Sequence, residues 1–245
     1  MQVSLIGNNA GDVAPFVEEI GVEIVGVDEN PDVMITYGGD GTLIGAEIAH
    51  PGVPKLPMRD NKSCAKCDLH NDAAVFRRLI QNELQETRLE KLEATTRGQT
   101  ILGLNDILLR NGDLRSAVRF QVHVGGEPVT DEMIGDGLVA ATPFGSSAYF
   151  RSITNTTFRA GIGIAFSNCT EFPNHMVLLP EDEVRVEIIR GPALLAADNT
   201  PRVLELASGD DIIIRRAAKQ EATILGLDAL RCPLCQYMRA PRRRF

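Results

Sequence analysis

Between Asp32 and Thr42 the chain reads Asp-Val-Met-Ile-Thr-Tyr-Gly-Gly-Asp-Gly-Thr, a stretch that few folds accommodate. The mostly apolar residues before the glycines predict a buried strand. Gly38, Gly39 and Gly41 then surround one carboxylate, Asp40, and Thr42 opens the helix-like run Leu43–Ala49. A strand that passes through glycines into a helix N-terminus builds an anion site. Glycine permits close backbone approach, the first-turn N–H groups lack intrahelical partners, and the positive end of the helix dipole faces outward. Gly39, Gly41 and Gly45 give G-x-G-x-x-x-G rather than the dinucleotide fingerprint, and no Walker-type lysine follows. Asp40 is the anomaly, because a carboxylate repels phosphate unless it holds a metal or takes a proton from a substrate. An ordinary strand-to-helix turn with Asp40 as N-cap is the plainer alternative.

The flanking chain supports a sheet with its ligand site at this turn. Gln2–Gly7 and Val22–Val27 read as strands around a short helix from Asp12 to Ile20, and Val53–Met58 follows the helix after the glycines. Strands alternating with helices predict an N-terminal doubly wound parallel α/β domain, whose ligands sit at the carboxyl ends of the strands, where Asp40 lies. Val75, Phe76, Leu79, Ile80 and Leu84 have helical spacing, so one helix is expected from Asp72 to about Leu92. Beyond Thr95 the texture changes to short strand-like runs: Thr100–Arg110, Val118–Val124, Leu138–Thr142, Val184–Ile189, Val203–Leu206, Ile212–Arg215 and Ala222–Gly226. Turn residues separate them, which predicts a mainly antiparallel β domain. The expected organisation is an α/β nucleotide-binding domain over 1–94 and a β-rich domain over 95–226, with a tail, 227–245, that returns to the first domain.

Charge and cysteine content narrow the function. With 25 Lys and Arg against 33 Asp and Glu, a net charge of −8 argues against general nucleic-acid binding. Arg239–Arg244 reads as a solvated basic tail. No apolar run approaches the roughly 18 residues of a membrane helix, and Met1-Gln2-Val3 reads as the start of a strand, so a cytoplasmic protein with no membrane partner is expected. There, two C-x-x-C pairs, Cys64/Cys67 and Cys232/Cys235, suggest metal or redox chemistry before disulfides. Each has the spacing by which thiolates grip one zinc. Redox-active dithiols and thiols without a role remain open. His50, His70, His123 and His175 show no ligand spacing, and Cys169 reads as a lone buried thiol.

Gly38-Gly39-Asp40-Gly41-Thr42 resembles the GGDGT signature of NAD kinases and their phosphofructokinase and lipid-kinase relatives. Asp136-Gly137-Leu138 followed by Thr142-Pro143-Phe144-Gly145-Ser146-Ser147-Ala148-Tyr149 resembles the DG…TPTGSTAY block specific to NAD kinases. Together they identify the chain as similar to a divergent, short, archaeal-like form of that family. The resemblance implies phosphoryl transfer from ATP, accompanied by Mg²⁺, or from polyphosphate, to the 2′-hydroxyl of NAD. Asp40 then matches the family's catalytic aspartate, a general base or the group that positions the hydroxyl, and Gly38, Gly39, Gly41 and Thr42 its phosphate contacts.

Asn105-Asp106 resembles the family's Asn-Glu pair, one methylene shorter at the acid, and implies hydrogen bonds to the dinucleotide. Asp136 matches a residue near the nicotinamide end, Ser147, Ala148 and Tyr149 contacts to the adenosine, and Asp198 an aspartate of the dinucleotide site. Alone, Asn105-Asp106, Asp136-Gly137 and Asp198-Asn199 each read as a turn.

The chain departs from the family at Phe144, where Thr or Ser is usual. It departs again at Met58–Cys67, which replaces Asn-x-Gly-x-Leu-Gly-Phe, and at Phe150–Asn155, which replaces a glycine-rich run. A kinase for another alcohol, or a non-catalytic NAD(P)-binding sensor, therefore remains open. The family also implies a homodimer or homotetramer and a chain end folded onto the first domain. In a departure from the family pattern, the spacing of Cys64, Cys67, Cys232 and Cys235 then suggests one structural zinc shared there.

Overall fold

A computed structural model describes residues 1–60, 71–171 and 173–230, which divide into two compact units. The first comprises Met1–Leu89 and the described residues from Ala222 onward. It contains β1 (Gln2–Ile6), α1 (Ala14–Glu19), β2 (Glu23–Ile24), β3 (Val33–Tyr37), α2 (Asp40–Ala49), β4 (Lys55–Met58) and α3 (Asp72–Ile80). The strands pair in parallel in the order β2-β1-β3-β4, and Ile224 near the chain end pairs with Lys55 beyond β4. Val33, Ile35 and Tyr37 share a buried cluster with Val13 just before α1, Val17 within it, and Val75, Phe76 and Leu79 of α3. All five residues of β3 are buried, which explains its continuous apolar run. Lys55 and Glu47 form a fully buried ion pair that ties α2 to β4. Asp40, at the other end of α2, therefore stands on an anchored helix.

The helix expected to run from Asp72 to about Leu92 stops at Ile80. Asn71 caps its start by accepting from the Ala74 N–H at 3.2 Å, and Asn82 ends it by adopting φ 55°. The apolar spacing carries on to Leu84, but the helix does not follow it. After it Leu92, Ala94 and Thr96 are buried at period two, so the chain forms β5 (Glu86–Thr96) instead. A short α5 (Leu227–Leu230) closes the first unit, where Arg78 pairs with Asp228 at 2.9 Å.

The second unit, Glu90–Glu221, is a sandwich of antiparallel strands. After the β5 hairpin partner β6 (Gln99–Gly103) come β7 (Asp106–Asn111), β8 (Val118–Val124), β9 (Glu127–Pro128), β10 (Met133–Gly135), β11 (Gly137–Ala141), α4 (Tyr149–Thr154), β12 (Ile162–Ser167), β13 (His175–Leu178), β14 (Val184–Arg190), β15 (Ala193–Ala197), β16 (Val203–Leu206) and β17 (Asp211–Leu225). One sheet has the order β13-β12-β11-β7-β15-β16, and β10-β8-β14-β17 are neighbours in the other. Ile107, Leu109, Leu138, Ala140 and Leu195 of the first sheet meet Phe120, Val122, Val184, Val186, Ile212 and Ile214 of the second in one core. The alternate residues Val139, Ala141 and Ala165 pack on Phe150 of α4. Both faces of β11 are thereby buried.

Strands β9, β10, β12, β13 and β15 are absent from those the sequence predicts, and the run expected at Thr100–Arg110 is two strands, β6 and β7. β12 is buried at every position, so no alternation marks it, and β13 is four residues long. The two runs expected at Ile212–Arg215 and Ala222–Gly226 are one strand, β17, continuous through a polar middle.

Candidate active site

The glycine turn forms as the sequence predicts, with one shift. Helix α2 begins at Asp40 itself; Gly39 is the N-cap and makes no side-chain capping bond. Asp40 is therefore not the N-cap of the plainer alternative. Its carboxylate, about a quarter exposed, faces the Arg59 guanidinium with Oδ1 3.2 Å from Nη2. Gly38 is required by packing: a Cβ there would lie 2.3 Å from Thr42 Oγ1 in the first helical turn. Gly7 (φ 136°) is required likewise, because its Cβ would lie 2.1 Å from the Tyr37 carbonyl oxygen. The backbones of the first and third strands thus converge on the turn, and Gly38 N–H donates to the Met58 carbonyl of β4 at 2.7 Å.

In the second unit three distant segments meet. Asp198, at φ 48°, accepts from the backbone N–H groups of Leu104, Asn105 and Asp106 at 2.6, 2.8 and 3.0 Å. Its own N–H donates to the Asp106 carbonyl at 3.0 Å. On the other side, Thr142 donates its hydroxyl to the Leu104 carbonyl at 2.7 Å and its N–H to the Asn105 carbonyl at 2.9 Å. Thr142 Oγ1 also accepts from Gly145 N–H at 3.0 Å. Gly145 lies so close that a Cβ would stand 2.0 Å from the Asn105 carbonyl oxygen. The glycine of the Thr142–Tyr149 block is therefore what lets that block dock against Asn105-Asp106. Asn105 and Asp106 are therefore buried rather than solvated, whereas Asp198-Asn199 does form a turn, closed by the Thr200 N–H on the Ala197 carbonyl at 3.1 Å.

The cluster carries unmet polar demand. Asn105 is 8% exposed, and its Oδ1 is buried without a hydrogen-bond partner among the described residues. Asp106 is 6% exposed; burial, then the neighbouring Asp198 charge, push its carboxyl up to about 7. Burial also raises Asp198, but its three backbone N–H bonds and Lys91 favour the anion. We therefore place the proton of this pair on Asp106. A left-handed aspartate, an unpartnered buried amide and a raised carboxyl side by side mark a site built for a polar ligand.

Ser147 and Ala148 follow in the turn before α4, both half-buried. Tyr149 opens α4, packs on the Val139–Phe150 cluster and receives a hydrogen bond on its hydroxyl from Arg110. Asp136 is not brought to Asp106. It precedes β11, whereas Thr142 follows it, and six residue steps at about 3.3 Å each separate them by roughly 20 Å along the strand. There Asp136 accepts from the Asn168 side-chain amide at 2.8 Å. A ligand touching both ends must span the length of β11. Phe144 is buried, 7% exposed.

Arg59 and Arg110 are site neighbours that sequence reasoning missed. Arg59 follows β4 and is brought to the turn by the ladder, and Arg110 meets Tyr149 across 39 positions, so neither had a local signal. Cys64, Cys67, Cys232 and Cys235 lie outside the described residues. Cys169 is half-buried, and burial, with the charge of Glu171, pushes its thiol up to about 11, an inert state. Among the described residues no helix is long and apolar enough to cross a membrane, and no three His, Cys, Asp or Glu side chains group as metal ligands.

Residues 104–225 match a family model described as the ATP-NAD kinase C-terminal domain. The chain is 28% identical over 211 residues to the NAD kinase of Delftia acidovorans, spanning 80% of this chain and 70% of that protein. It is 29% identical over 206 residues to the NAD kinase of Acidithiobacillus ferrooxidans, spanning 78% and 69%. Its fold matches yeast NADH kinase complexed with NADH at TM-score 0.79 and 17% identity, over 100% of this chain and 90% of the other. It also matches an NAD kinase from Archaeoglobus fulgidus in complex with ATP at TM-score 0.75 and 16% identity, over 94% and 96%.

Proposed function

The chain belongs to the NAD kinase family, and from that premise we propose that it transfers the terminal phosphoryl group of ATP to the 2′-hydroxyl of NAD, giving NADP. The observation that carries the reading is the meeting of Asn105-Asp106, Asp198 and the Thr142–Gly145 turn around the buried, unpartnered Asn105 Oδ1. A dinucleotide offers the donors and acceptors such a cluster lacks.

Positioning and electrostatics carry phosphoryl transfer, because the acceptor alcohol is a poor nucleophile and the donor is heavily charged. In the first unit the turn's backbone, from Gly38, Gly39, Gly41 and Thr42, approaches the donor phosphates, and Asp40 orients the hydroxyl and takes its proton. In the second unit Asn105 and Asp106 hydrogen-bond the dinucleotide, Asp198 holds their backbone in place, and Ser147, Ala148 and Tyr149 receive the adenosine. Asp136 serves the nicotinamide end, one strand length away.

Charge on the donor is screened by the Mg²⁺ that accompanies it. Mg²⁺ bound with ATP would supply that screening, as it does where phosphate oxygens share the ion with few protein ligands. Polyphosphate as an alternative donor to ATP, a homodimer or homotetramer, a cytoplasmic setting and a structural zinc on the two C-x-x-C pairs complete the reading. The zinc is checked by elemental analysis of protein purified without added metal.

Purified protein with Mg²⁺, NAD and either ATP or polyphosphate should yield NADP. NAD binding without product would instead identify a sensor, and neither binding nor product a kinase for another alcohol. Tyr149→Ala should weaken NAD binding by ~1–3 kcal/mol, the scale of one aromatic stacking partner, with little change for ATP. Calorimetry that finds NAD affinity unchanged would place Tyr149 outside the site. Tyr149→Phe separates the ring from the hydroxyl that accepts from Arg110.

A further inference from the structure

We propose that Arg59 is the donor-binding cation of this active site, contacting the phosphates of the triphosphate at the Gly38–Thr42 turn; the inference rests on the phosphotransferase reading. The turn poses an electrostatic problem, since its anion site contains a carboxylate and lacks a Walker-type lysine. The topology supplies the missing charge. Strands β3 and β4 are parallel neighbours with Tyr37 opposite Met58, so the residues after each strand stand side by side at the carboxyl edge. Those residues are Gly38 and Arg59. Ligands of parallel sheets bind at that edge.

The guanidinium takes up the place thus assigned to it. Nη2 lies 3.2 Å from Asp40 Oδ1, and Nη1 lies 3.5 Å from where a Cβ on Gly39 would stand. It therefore runs along the Gly39-Asp40 backbone, over the start of α2. The two side chains are 17% and 27% exposed, so the pair is partly desolvated yet reachable. Its net charge is zero, which removes the repulsion a lone carboxylate would impose on a triphosphate. The planar fork of arginine suits phosphate oxygens, and its charge does not titrate away. Asp40 is left to face the acceptor hydroxyl while Arg59 faces the donor.

The test uses the full chain and its Arg59→Met and Arg59→Lys variants. Steady-state kinetics give kcat and the KM of ATP and of NAD, and calorimetry with Mg²⁺ and a non-hydrolysable ATP analogue gives donor affinity directly. Arg59→Met should weaken the analogue and raise the ATP KM by about 10- to 100-fold, the scale of one charge-assisted hydrogen bond. NAD affinity should stay within about twofold, since the contact is made to the donor alone, and Arg59→Lys should recover part of the loss as a point charge. A wild type that makes NADP beside an Arg59→Met variant with unchanged donor affinity overturns the role of Arg59 alone. So does equal weakening of NAD and donor, or a fall in kcat with donor affinity intact, which would mean that Arg59 acts only through Asp40. A wild type that binds the analogue in an Arg59-dependent way but makes no NADP overturns the NAD reading and upholds Arg59. A chain that binds no triphosphate overturns both.

Discussion

Asp40→Asn is expected to lower kcat by at least ~10²-fold, the scale of a lost general base. Asp40 is the only carboxylate within the Gly38–Thr42 turn and the first residue of an anchored helix, so its position is set by α2 rather than by a mobile loop. The substitution is isosteric, and the amide oxygen can still accept from Arg59, so the pair's geometry should persist. What disappears is the group able to take a proton from the 2′-hydroxyl. The side chain is about a quarter exposed, so the fold should survive, and the melting temperature should stay near that of the wild type. Rate and melting measured on the same preparation check this. Near wild-type turnover would remove Asp40 from the mechanism.

Asp106→Asn should stabilise the protein at pH 8 and leave it unchanged near pH 4. The folded carboxyl is raised from 3.8 to about 7 by burial and by Asp198. Below the lower value both folded and unfolded states hold the proton, and stability is full. As pH rises, the unfolded carboxyl ionises first while the folded one keeps its proton to about 7, so stability falls across that window and then levels off. Each unit of separation is about 1.4 kcal/mol, and roughly three units give a loss on the order of 4 kcal/mol that the neutral amide avoids. Denaturant unfolding of both proteins at pH 4 and pH 8 measures the difference. Equal stabilities at pH 8 would show that the folded Asp106 carboxyl is not raised above its ordinary value. A site residue whose removal stabilises the fold is expected where selection has kept function at the expense of stability.

The sequence by itself determined the local devices. Glycines between an apolar strand and a helix favour a tight turn, and that turn formed where Gly38–Thr42 placed it. Alternating and continuous apolar runs carried the division into an α/β part and an antiparallel β part. They failed past Ile80, where Leu84 carries helical spacing beyond the end of the helix, and in β12, whose burial at every position erases alternation.

Only the tertiary structure decided what surrounds each device. Asp198 reaches Leu104, Asn105 and Asp106 from more than 90 positions away, and Gly145 is needed because it presses on the Asn105 backbone. Arg59 stands beside Asp40 because two parallel strands end in register. Charge neutralisation, a raised carboxyl and an unpartnered amide are properties of neighbours in space. Residue type and local spacing specify a turn, whereas the electrostatics of a site depend on which strands the sheet brings together.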